Sequence, residues 1–97
     1  MTLDQLRIFI EVAERGHVTR AAEALGMSQS AASAAIAALE SSYEIKLFDR
    51  VGRGIQLTEV GRIFQREARA VLDRSSMARA VLQGSRRWTG RPGEHRG

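Results

Sequence analysis

The chain has 97 residues, 15 basic against 11 acidic side chains for a net charge of +4, and no cysteine. That length holds one modest core, and without cysteine there is neither a disulfide framework nor a thiolate metal site. Its apolar runs are only a few residues long and its amino terminus lacks the apolar stretch of a signal peptide, so a cytoplasmic location without membrane contact is expected.

The first predicted helix follows Thr2, which stands at capping-box spacing from Gln5. Leu3, Leu6, Ile10 and Ala13 form one apolar stripe with Phe9 beside it, and Ile8 and Val12 add a second edge. Arg7, Glu11 and Glu14 are left wet, with Arg7 and Glu11 spaced for an i,i+4 ion pair. A helix apolar on two sides needs its own core and something else, and dimerisation is one answer. Gly16 ends the helix. His17 follows in the turn with no neighbouring Cys, Asp or second His, and His95 sits in a polar tail, so no metal site is expected.

A second helix is predicted over residues 19–25, capped by Thr19. Arg20 in its first turn opposes the helix dipole, which suits either a backbone phosphate contact or plain solvation. Gly26 stops this helix, Ser28 offers an N-cap oxygen, and an alanine-rich third helix is predicted over 29–44. Two helices joined by so short a turn form a helix-turn-helix unit, whose second helix can enter a DNA major groove. Ala32, Ile36, Leu39 and Tyr43 make its apolar stripe, to be met by Ala21, Ala22 and Leu25. The opposite face carries Gln29, Ser30, Ser33, Ala34 and Ala37. It has the low bulk, donors and methyls that a groove-facing surface wants. The alternative is an ordinary solvated or helix-packing face.

Leu47-Phe48 and Ile55-Gln56-Leu57 read as two short strands around a glycine-containing turn with Arg50 and Arg53 at its tip. A hairpin this small must lean on the helices. That makes it a wing whose arginines reach phosphates or the minor groove, the alternative being a solvated hairpin. Its glycines lack the strand-to-helix pattern of a nucleotide-binding loop.

Thr58 is placed to cap a long last helix over 59–84. Val60, Phe64, Ala68, Val71, Ser75, Ala78 and Leu82 recur at coiled-coil spacing, with Ser75 a polar gap. Such a helix is ~39 Å long, more than the head can cover, so the exposed seam predicts a second copy of the chain. Gly84 is expected to end it, leaving residues 85–97 as a polar linker or tail around Trp88. The segment 1–26 holds three arginines against four acids, 27–57 is balanced, and 86–97 holds four arginines against one acid. DNA binding by the head would therefore depend on local placement of Arg50, Arg53 and helix amino termini.

The spacing of Leu6, Phe9, Ala13, Ala21-Ala22, Leu25, Ser28-Gln29, Ala31, Ser33, Ile36, Leu39-Glu40, Leu47-Phe48, Arg50, Arg53, Leu57-Thr58 and Gly61 closely resembles the amino-terminal DNA-binding domain of LysR-type transcriptional regulators. The resemblance runs from residue 3 to about 82. It implies a mainly α winged helix-turn-helix over 1–58 with a short β-hairpin wing, and a linker helix over 59–84 that dimerises. It places Gln29, Ser30 and Ala31 at base edges, Ser33 near phosphate and Arg50 and Arg53 on the wing. Ala34 joins the candidate base contacts, and Thr19, Arg20 and Ser28 join the candidate phosphate contacts. Ile8, Val12, Val60, Phe64, Ala68, Val71, Ala78 and Leu82 are the candidate dimer interface.

Several positions depart from the pattern. Ser30 stands where many members have Pro, and Ala34 and Ala35 stand where Arg and a polar residue are frequent. Specificity then falls more on Gln29 and on DNA shape. Tyr43-Glu44 replace the usual Leu-Gly, which lengthens the third helix or alters its exit. Full members add an effector-binding domain about twice as large, so the chain reads as an excised DNA-binding domain or, alternatively, a natural short regulator.

The expected partner is double-stranded DNA bearing an inverted repeat, bound by a homodimer without a cofactor. For a full-length parent the resemblance implies a tetramer, a small-molecule effector and contact with RNA polymerase. The competing reading is a winged-helix dimerisation or interaction module that does not bind specific DNA. An enzyme is not expected, for no nucleophile, base and orienting group occur together.

Overall fold

A computed structural model describes residues 1–87. Its elements are α1 (Leu3–Arg15), α2 (Val18–Leu25), α3 (Gln29–Tyr43), β1 (Phe48–Val51), β2 (Gly54–Leu57) and α4 (Glu59–Arg87). Thr2 and Gln5 form the full capping box of α1, and Gly16 closes that helix at φ 71°. The wet-face ion pairs differ from the expected one: Arg7 meets Asp4 at 2.7 Å, while Glu11 pairs with Arg15 at 2.7 Å.

The core is shared by all elements. Phe9, fully enclosed, lies 4.9 Å from the Phe64 ring of α4 and 5.4 Å from the Phe48 ring of β1, both at tilted angles. Ala21 and Ala22 of α2 and Ala32, Ile36 and Leu39 of α3 are buried in this core, where methyl side chains let helix backbones approach. Tyr43 does not continue that stripe inward; it is 58% exposed. The helix ends there, beyond the reach of α2.

α1 is packed against α2, α3 and α4 of its own chain. Apart from Leu3 at its start, its apolar edges face the chain's own core. Val12 has no exposed surface and Ile8 only 8%, so neither can serve as the dimer contact expected of it. Ala68, 1% exposed, is likewise part of the core, where α4 lies on the head. An ion pair between Arg69 and Glu14 fastens α4 to α1 on the surface.

Three helix boundaries differ from the sequence reading, and β1 runs on to Val51 rather than ending at Phe48. α2 begins at Val18 with His17 at its N-cap, making no side-chain cap bond, so Thr19 lies inside the helix. α3 is not lengthened beyond Tyr43; Glu44 instead takes the left-handed conformation at φ 53° and ψ 49°. α4 runs through Gly84 to Arg87, because a single glycine in a helix costs only about 1 kcal/mol relative to alanine. The tail from residue 88 onward, Trp88 included, lies outside the described residues. At 29 residues α4 spans ~43 Å.

Candidate nucleic-acid interface

The site begins with how the α2–α3 turn is closed. Gly26 takes φ 69°, and its N–H reaches back to Ala22 and Glu23. Ser28 then caps α3, its hydroxyl oxygen accepting the Ala31 N–H at 3.1 Å. This geometry leaves Gln29, Ser30, Ala31 and Ala34 exposed along one side, while Ser33 is half-buried beside them. Gln29 Nε2 donates to Ser33 Oγ at 2.7 Å, so the amide is held against the first turn of the helix.

The wing is an antiparallel pair in which Phe48 opposes Leu57 and Val51 opposes Gly54. Only Gly52 and Arg53 lie between the strands, and Gly52 at φ 59° supplies the positive φ that a two-residue hairpin turn demands. Arg53 is therefore at the tip. Arg50 is not; it lies within β1, opposite Ile55. Both are exposed. The wing is tied down by the Ile55 N–H donating to the Gly16 carbonyl at 3.3 Å, and by Gly54, which has little room for a side chain beside that same carbonyl.

A groove of about 190 Å³ opens between α2, α3 and the wing, lined by His17, Thr19, Gln29, Ser33, Arg50 and Arg53 among others. The fold thus brings five of the sequence-named residues to one concavity. Arg20 and Ser28 are exposed but do not line it. His17 does, and the sequence reading considered it only as a metal ligand. Its position between a helix-ending glycine and the next helix was the available signal for a place at this helix start. Glu40 was also missed as a structural tie: its Oε2 accepts the N–H groups of Leu47 at 2.7 Å and Phe48 at 3.3 Å. No local pattern reveals that reach.

Elsewhere on the head, Val60 and Phe64 are half-buried and line an apolar groove of about 280 Å³ with Met1, Leu39, Tyr43, Ile45 and Leu47. Farther along α4, Val71, Ala78 and Leu82 are exposed, Leu82 by 71%. Among the described residues no cluster of His, Cys, Asp or Glu could hold a metal, and no helix is long and apolar enough to cross a membrane.

Residues 3–62 match the family model of the bacterial regulatory helix-turn-helix proteins of the lysR family. The chain is 44% identical over 87 residues to an HTH-type transcriptional regulator in the ibpB-leuC intergenic region of Azotobacter vinelandii, covering 90% of this chain and 56% of that protein. It is 44% identical over 80 residues to the SDS degradation transcriptional activation protein of a Pseudomonas species, covering 82% of this chain but 26% of that protein. The chain therefore spans about half or less of these relatives. Among solved structures, the CbnR DBD–DNA complex superposes with a TM-score of 0.81 at 34% identity, over 88% of this chain and 98% of that one.

Proposed function

The chain belongs to the lysR family of bacterial regulatory helix-turn-helix proteins, and from that premise we propose that it binds double-stranded DNA sequence-specifically as a symmetric dimer. The observation that carries this reading is the shared face of α3 and the wing. The exposed first turn of α3 has small side chains and one carboxamide, and Arg50 and Arg53 flank it across a single groove. In this reading α3 enters the major groove, Gln29 pairs with a base edge, and Ser30, Ala31 and Ala34 fit against neighbouring bases. Thr19, Arg20, Ser28, Ser33, Arg50 and Arg53 hold phosphates or the minor-groove wall. The likeness to a structure solved as a DBD–DNA complex supports it.

Dimerisation is assigned to α4. Val71, Ala78 and Leu82 are exposed on the described chain and lie at coiled-coil spacing, while Val60 and Phe64 offer their remaining surface in the apolar groove. Two copies related by a two-fold axis would read the two halves of an inverted repeat. Tetramer formation, effector response and contact with RNA polymerase are proposed for a full-length parent only. A cytoplasmic location accords with binding chromosomal DNA.

Selection from a random duplex library at moderate salt tests the proposal. Recovery of an interrupted, two-fold-symmetric motif is the expected result. A dimer that enriches no motif would instead favour an interaction module.

A further inference from the structure

Glu40 stands in α3, toward the far end of the helix from Gln29, and uses one carboxylate oxygen to hold two backbone donors at the base of the wing. The same short segment is gripped from its other side. Lys46 O accepts the Thr58 hydroxyl at 2.8 Å, and Leu47 O accepts the Thr58 N–H at 3.0 Å. Thr58 Oγ1 in turn accepts the Gly61 N–H at 3.0 Å, capping α4. Residues 46–48 therefore receive α3 through their N–H groups and α4 through their carbonyls.

A two-stranded hairpin has little stability of its own, so its direction depends on the ties at its base. We propose that Glu40 is a positioning residue for DNA recognition: by anchoring β1 to α3 it sets Arg50 and Arg53 at a fixed distance from the base-reading turn at Gln29. This rests on the DNA-binding reading above. Glu40 shares a groove with Lys46, Asp49 and Arg50, so its charge must be separated from its reach.

Three variants of the chain do so: Glu40→Gln keeps an acceptor oxygen without charge, Glu40→Asp keeps charge but shortens the reach, and Glu40→Ala removes both. Without DNA, hydrogen exchange at Leu47, Phe48 and the wing should quicken about tenfold or more in the Ala and Asp variants. Exchange in α1 and α3 should stay unchanged, and Glu40→Gln should stay close to the parent. Unchanged wing exchange in Glu40→Asp, which keeps the fold test independent of the Ala variant, would overturn the proposal.

On a duplex selected with the unmodified chain, the Asp and Ala variants should lower the salt slope by about 0.9 for each phosphate that the wing no longer neutralises. Adding Arg53→Ala to either should then cost little more. Full additivity with Arg53→Ala, or a loss in Glu40→Gln equal to that in Glu40→Ala, would overturn it. If wing exchange quickens but the unmodified chain binds no duplex, the DNA-binding reading fails and takes the recognition role with it, while the tie itself stands.

Discussion

Gly61 lies against the carbonyl of Leu47 so closely that a side-chain carbon would overlap that oxygen, with Leu57 Cδ2 also pressing on the spot at 3.0 Å. The first turn of α4 and the entry to the wing thus touch backbone to backbone. Gly61→Ala would gain up to about 1 kcal/mol of helix propensity, but overpacking costs about 1–3 kcal/mol. The overlap wins because the obstacle is backbone. A lower urea midpoint with an unchanged m-value is expected; a higher midpoint would show that α4 can shift freely.

Glu44 presents the opposite case. It closes α3 in the left-handed region at φ 53°, with its N–H reaching Glu40 and Ser41. A non-glycine residue is strained there by about 1–2 kcal/mol. Glu44→Gly relieves this and gives back part of the gain through the unfolded chain's greater freedom. A net stabilisation of about 0.5–1 kcal/mol should appear in thermal unfolding as a rise of a few degrees in Tm; a fall would mean that the Glu44 side chain makes a compensating contact.

Gln29 is exposed at the start of α3 and bonded to Ser33 Oγ at 2.7 Å. Replacing it with Ala should weaken binding to the selected duplex by about 1–3 kcal/mol, the worth of one bidentate base contact. Binding to random duplex should barely change. Equal losses on both would remove Gln29 from base reading.

Arg53, at the wing tip, should behave in the contrary way. Arg53→Ala is expected to weaken specific and nonspecific binding alike, and to reduce the slope of log affinity against log salt by about 0.9. A slope left intact would strike it from the phosphate contacts.

Val71 and Leu82 test the dimer. Both are exposed on α4, Val71 one turn beyond the buried Ala68 and Leu82 farther along. Val71→Arg or Leu82→Arg should leave the head folded and dissociate the dimer in sedimentation. Affinity for a two-half-site duplex should fall toward that for one half-site. A dimer that withstands both substitutions would place the interface elsewhere.

The helices, most of their caps and the α2–α3 turn were legible in the chain because those signals are local. Thr2 with Gln5, Gly16, Gly26 and Ser28 act on their own neighbours, and the stripe from Ala32 to Leu39 follows the helix period. The same locality explains the errors. Periodicity marks Ile8 and Val12 as apolar but cannot say what covers them, and the cover proved to be the chain itself. Tyr43 continues the spacing of its stripe yet is exposed, because burial needs a neighbour as well as a phase. Glu40 looks like any polar residue until the fold carries Leu47 and Phe48 to its carboxylate. Sequence by itself determined which surfaces are apolar and roughly where each helix lies, though not the start of α2 or the end of α4. Tertiary structure alone decided which of those surfaces meet, since helix crossings are settled by competition among partners distant along the chain, and only close packing and backbone hydrogen bonding choose between them.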